Sequence, residues 1–123
     1  MGILDLLSLQ QDRDKEGGRM LVYIAAPYTK GDIGINLHRV FDVADQIIDM
    51  GHTPIIPHLT HLWHIVSPKP WEFWLKYDEA FLDISDAVLR LNGDSIGADM
   101  EVKRARELCI PVYYSVEELE YGR

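Results

Sequence analysis

Four short apolar runs separated by stretches of helical periodicity predict an α/β fold: a three-layer, doubly wound parallel sheet of four to five strands in flavodoxin-like order. The runs lie at 20–26, 53–57, 87–91 and 110–114. The first is nearly all apolar, as a strand covered on both faces must be. The third passes through a Gly/Asp/Ser turn directly into a helical pattern, the strand–turn–helix unit from which such sheets are built. With strands ordered 2-1-3-4, the winding reverses between strands 1 and 3. The loops leaving those two strands are therefore expected to hold a ligand.

Residues 1–19 read as a flexible extension ahead of a single domain at 20–123. Ile3, Leu4, Leu6, Leu7 and Leu9 are spaced for one short apolar helix, and the charged stretch after them ends in Gly17-Gly18. Strand 1, Met20 to Ala26, runs into the loop Pro27-Tyr28-Thr29-Lys30-Gly31-Asp32. From about Gly34 to Met50, Leu37, Val40, Phe41, Ala44, Ile47 and Ile48 recur at helical spacing, and Gly51 suits the stop. Strand 2 is Thr53 to Pro57. The His-rich stretch from His58 to Lys69 fits either a loop or one short helix. Pro70 then opens a helix whose inward stripe is Trp71, Trp74, Leu75, Asp78, Phe81 and Leu82. Strand 3 leads to the helix carrying Glu101, strand 4 is Ile110 to Tyr114, and Ser115 with Glu118 forms a capping box for a last short helix.

The 123 residues suffice for one domain with its own core. A formal net charge of −8 argues against nucleic acid or an anionic membrane as partner, while leaving room for one basic pocket around a small phosphorylated ligand. Cys109 is the only cysteine, so no internal disulfide forms, and a reducing, cytoplasmic setting is expected. No apolar run reaches membrane-spanning length. The N-terminus lacks the pattern of a secretory signal, and Leu6 stands where a myristoylation signal wants Ser or Thr.

Two acids stand out because they fall on faces meant for the core. Asp78 lies between Trp74 and Leu82 on one stripe, and Glu101 shares a stripe with Ala98, Ala105 and Leu108. A carboxylate there is costly unless it is paired or used. Two carboxyl groups around one bond are what glycosidic cleavage uses, one at the sugar carbon and one handling the proton. The alternative is a pair of half-buried acids satisfied by backbone N–H groups or by Lys and Arg. Ser95-Ile96-Gly97, at a helix start, is either a phosphate-binding turn or an ordinary N-cap. His58, His61 and His64 are spaced for metal ligation but lack an obvious acidic or cysteine partner, so pocket lining or surface is the simpler reading. Trp63, Trp71 and Trp74 serve as core or as walls of a pocket.

These residues carry a resemblance. Val22-Tyr23-Ile24-Ala25-Ala26, Asp78 ahead of Asp86, and Ser95-Ile96-Gly97-Ala98-Asp99-Met100-Glu101 followed by Ala105 stand in the order and spacing of one superfamily. Over about residues 20–114 the chain resembles the nucleoside 2-deoxyribosyltransferase-like superfamily, which includes the nucleoside 5'-monophosphate N-glycosidases. The resemblance implies that Glu101 is the nucleophile at C1', that Asp78 assists the departing base and that Tyr23 orients Glu101. At the position of Ser95, six before the glutamate, the transferases tend to carry an aspartate for the 5'-hydroxyl, and the monophosphate hydrolases a serine for the 5'-phosphate. A hydroxyl tolerates a phosphate where a carboxylate repels it. Asp94, next to Ser95, is the alternative group for a 5'-hydroxyl. The first loop departs from the Gly- and Arg-containing phosphate loop of the hydrolases, with Lys30 as substitute, and the His-rich segment is also different.

The expectation is therefore an N-glycosidase of (deoxy)nucleoside 5'-monophosphates, with Glu101, Asp78 and Tyr23 catalytic. Ser95, Gly97, Asp94 and Lys30 would bind the 5' end, and His58, Trp63 and Trp71 the base. No metal or cofactor is implied, and a homo-oligomer is. Base exchange between deoxynucleosides, or nucleotide sensing without catalysis, are the alternatives.

Overall fold

The computed structural model of the chain describes Gly2 and residues 18–122. The expected N-terminal extension lies almost wholly outside the described residues. Four strands form one parallel sheet: β1 (Leu21–Ala25), β2 (Thr53–Ile55), β3 (Ala87–Arg90) and β4 (Val112–Tyr113). Five α-helices connect and flank them: α1 (Ile33–Asp49), α2 (Thr60–Val66), α3 (Trp71–Asp83), α4 (Ile96–Glu107) and α5 (Val116–Tyr121). The strand order is β2-β1-β3-β4, as expected, with β1 and β3 central. Tyr23 pairs with Val88, and Ala25 with Arg90.

Alternation along the central strands builds two cores. Val22 and Ile24 of β1 join Ala87 and Leu89 of β3, and pack on Val40, Val43, Ala44 and Ile47 of α1 and Leu119 of α5. Tyr23, Ala25 and Val88 face the other way, onto Leu82 of α3 and Ala98 and Ala105 of α4. The small residues of α4 let that helix lie close to the sheet, which brings Glu101 down to the strand ends.

Termini and caps follow the local chemistry. Asp32 caps α1 by accepting from the Ile35 N–H at 3.0 Å. Gly51, at φ +87°, turns the chain out of α1 while the His52 N–H bonds back to the Ile47 carbonyl. Cys109 takes the same left-handed position after α4, at φ 59°, without a glycine's freedom. Ser115 caps α5, but the Glu118 carboxylate reaches the Tyr114 N–H at 2.7 Å rather than that of Ser115 itself.

All four strands are shorter than expected; in β2 and β4 the reason is proline. Pro57 begins a 3₁₀ turn (Pro57–Leu59), and Pro111 has no N–H to add to a ladder, so pairing ends before the first and starts after the second. The segment left between loop and helix resolves into that 3₁₀ turn followed by α2.

Candidate active site

A cleft of about 660 Å³ opens where the ends of β1 and β3 meet α2, α3 and the start of α4. This is the switch point of the sheet. Its walls come from the first loop (Tyr28, Lys30), α2 (His61, His64), α3 (Trp71, Trp74, Asp78) and the turn at 94–97. Glu101 reaches it from the first turns of α4. The long separations in sequence are bridged by the fold alone.

Behind the cleft, fully buried Tyr23 donates its phenol hydrogen to Glu101 Oε2. Burial, then the charges of Glu101 and Asp78, hold the phenol far above its ordinary range, so it remains a neutral donor. Burial also pushes the Glu101 carboxyl up, to about 8. The Tyr23 bond and the charge of Arg90 oppose this, and the charge of Asp78 adds to it. Asp78 is raised to about 7 by burial. The two acids thus sit on α3 and α4, in mutual electrostatic reach. Outside the cleft, Arg104 of α4 ties the same two helices together through Glu79 and Asp83, each at 2.8 Å.

The Ser95 hydroxyl accepts the Ala98 N–H at 3.1 Å, so Ser95 is the N-cap of α4, and it lines the cleft as well. That bond uses the oxygen as acceptor and leaves the hydroxyl hydrogen available to donate. Gly97 and Asp94 line the same end, and Lys30 is an exposed cation at its mouth. His58 is buried, and its Nε2–H donates to the Pro27 carbonyl at 3.0 Å. Burial lowers its basicity, the Pro27 bond opposes this and Arg39 adds to it, so the ring is neutral and braces the first loop. Tyr28 packs edge-on between His58 and His61, at 5.1 and 5.0 Å.

Of the expected pocket residues, Trp63 does not line this cleft. His61 and His64, three apart, share the face of α2 that meets the cleft, and Trp63 lies about 100° round the helix from His64. It packs edge-on against Trp74 and Tyr77 at 5.2 and 5.5 Å, in a separate cavity of about 260 Å³ that touches Asp78 from the far side. Trp74, which the stripe pattern assigned inward, lines the cleft and donates its indole N–H to His64 Nδ1 at 2.8 Å. With His64 Nδ1 engaged there and His58 Nε2 at Pro27, the histidines do not converge. Among the described residues no three His, Cys, Asp or Glu side chains are grouped to hold a metal.

The model of one protein family, described as a domain of unknown function (DUF7768), matches residues 20–115. The chain belongs to that family. The matched span takes in every element of the DUF7768 domain that borders the cleft. Among solved structures, the 2-deoxyribosyltransferase of the psychrotolerant bacterium Bacillus psychrosaccharolyticus is similar to the DUF7768 chain. The TM-score is 0.59 at 22% identity, covering 75% of this chain and 69% of that one. At that identity the likeness establishes the shared α/β fold. No curated protein matches the chain.

Arg90 was hidden from sequence reasoning within an apolar run. It closes β3, is 8% exposed, and donates to the carbonyls of Leu91 and Gly93 and to Asp99. The signal was parity: position 90 follows Val88 on the face of β3 that meets α4.

The raised acids fix how stability depends on pH. Each carboxyl titrates higher in the folded chain than its ordinary 3.8 or 4.5, so its neutral form favours folding. That contribution is full below about pH 4 and is lost as pH rises through about 7 to 8. The stability of the free protein is expected to fall between pH 5 and pH 8.5 by an amount on the order of 4 kcal/mol, most of it from Glu101 because solvent reaches Asp78, or roughly 10–20 °C in Tm. Glu101→Gln should remove most of this slope; an unchanged slope would show that the acids are not buried as described.

Proposed function

We propose that the chain is an N-glycosidase that cleaves the base–sugar bond of (deoxy)nucleoside 5'-monophosphates. The observation that carries this is the Glu101 carboxylate, bonded to a buried tyrosine, at a cleft that a second raised acid, Asp78, also lines. Glu101 attacks C1', and the C1'–N bonding pair leaves with the base. Asp78 gives the base its proton. Water then attacks C1', Asp78 takes the water's proton, and the sugar phosphate departs with Glu101 restored. In the free site, with the Tyr23 bond and the Arg90 charge already acting, the single shared proton rests on Glu101, about 8 against about 7 for Asp78. The positive charge growing at C1' favours the Glu101 carboxylate, and it moves the proton to Asp78.

The turn at the other end of the cleft supports a phosphate. It offers the Ser95 hydroxyl, the free N–H groups at the start of α4 and Lys30 close by. His61, His64, Trp71 and Trp74 surround the space left for a base. Base exchange is the second reading. It differs only in whether a base or water resolves the intermediate, and Asp94 at the rim, with the fold of a 2-deoxyribosyltransferase, favours it. Exposed Leu62, Ile65 and Val66 along α2 support a homo-oligomer, which sedimentation would test.

A panel of ribo- and deoxynucleosides and their 5'-monophosphates, followed for free base by chromatography, tests the reading. Release from monophosphates alone is expected; swapped nucleosides in the presence of a foreign base would replace hydrolysis with exchange, and a ligand bound but unchanged would point to sensing. Ser95→Asp sharpens the panel. Aspartate preserves the N-cap, so folding should hold, but its charge faces the phosphate. We expect kcat/KM for monophosphates to fall at least about 30-fold, with nucleosides unaffected. Equal losses for both substrates would remove Ser95 from the phosphate site.

A further inference from the structure

Arg90 is a buried charge that does not itself line the cleft. Its side chain is 9% exposed, whereas that of its ionic partner Asp99 is 73% exposed, so the pair alone gives little reason to bury a guanidinium. An apolar residue would pack at this place on the sheet without that burden. The fork instead gathers one segment: Nη1 bonds the Leu91 carbonyl, and Nη2 bonds the Gly93 carbonyl at 2.8 Å and Asp99 Oδ1 at 3.0 Å. These acceptors bracket Ser95. The segment is also held from the other side. Gly93 is at φ +116°, and a Cβ there would come within 2.9 Å of Pro27 in the first loop. Arg90 does not line the cleft, so it reaches a ligand only through what it holds.

We propose that Arg90 is a positioning residue that couples the 91–99 turn to Glu101, one guanidinium fixing both the place of Ser95 and the electrostatic surroundings of the nucleophile. The proposal rests on the glycosidase reading for its kinetic part only. The charged and titratable groups around Glu101 are Tyr23 from β1, Asp78 from α3 and Arg90 from β3. Glu79 of α3 and Lys103, Arg104 and Glu107 of α4 border a groove on its outer side. Arg90 is the positive member on the sheet side. Its loss leaves the Tyr23 hydrogen bond alone to oppose the Asp78 charge at Glu101.

Two variants separate the roles. Arg90→Lys keeps the charge but not the fork that spans two carbonyls and a carboxylate. Its KM for the monophosphate is expected to rise about tenfold with kcat little changed, and the titration of the Glu101 carboxyl, followed by 13C NMR of glutamate-labelled protein, is expected to stay put. Arg90→Gln removes the charge, and the Glu101 midpoint should move up by about one pH unit. A folded Arg90→Gln protein with the Glu101 midpoint of the parent overturns the proposal. So does an Arg90→Lys enzyme with the parent KM, which decides the matter if the glutamine variant does not fold. The titration needs no turnover. If the parent releases no base, yet the Glu101 midpoint shifts in Arg90→Gln, the glycosidase reading is lost and the coupling is kept.

Discussion

Glu101→Gln is expected to lower base release from a nucleoside 5'-monophosphate by about 10³-fold or more while the substrate still binds. The amide keeps the shape of the side chain and can still accept from the Tyr23 hydroxyl, so the cleft stays formed. What disappears is the negative charge at C1'. No other group replaces it: Asp78 stands on the neighbouring helix, and Tyr23 is held as a neutral phenol by burial. The variant should also unfold at higher temperature than the parent above pH 7, because the buried carboxylate it removes is a burden on the fold. Loss of activity with a gain of stability is the signature of a group kept for chemistry. Single-turnover chromatography and a thermal scan of the same preparation would check both. Retained cleavage, or destabilisation in place of stabilisation, would reassign Glu101 to the structure.

The sequence made the site legible where periodicity is unambiguous. Tyr23 lies on an apolar strand and Glu101 on a stripe of small residues, and the strand order alone places that stripe against the strand. Asp78 was visible for the same reason, as an acid among aromatic residues on one helical face. Three features resisted. Trp63 could not be oriented until α2 had a register, because a segment that is loop or helix has no faces. His58 was read as a wall of the base pocket, and it lines the cleft, but its hydrogen bond braces the first loop at Pro27, a contact between residues far apart in the chain. Arg90 was masked by its neighbours, since one polar residue in an apolar strand leaves the strand pattern intact. Its three acceptors lie in a turn whose path no local rule specifies.

Asp78→Asn is the second large effect, and its form is diagnostic because the two acids share a proton. Rate requires one proton on the pair. It should fall at low pH, where both carboxyls are neutral, and at high pH, where both are ionised, giving a bell whose limbs belong to the pair jointly. Asparagine cannot donate to the departing base, so kcat/KM is expected to drop about 10²- to 10⁴-fold. The alkaline limb should vanish with the acid that caused it. The acid limb should stay near that of the parent, because Asp78 is neutral while Glu101 ionises on that limb, and asparagine is neutral too. A substrate whose base leaves without protonation should recover most of the loss, since only proton donation has been removed. Were the alkaline limb to persist unchanged in Asp78→Asn, the acid would have to come from elsewhere on the cleft wall. His64 is then the group to replace: its Nδ1 is engaged by the indole of Trp74, and its other ring nitrogen is left to carry the proton.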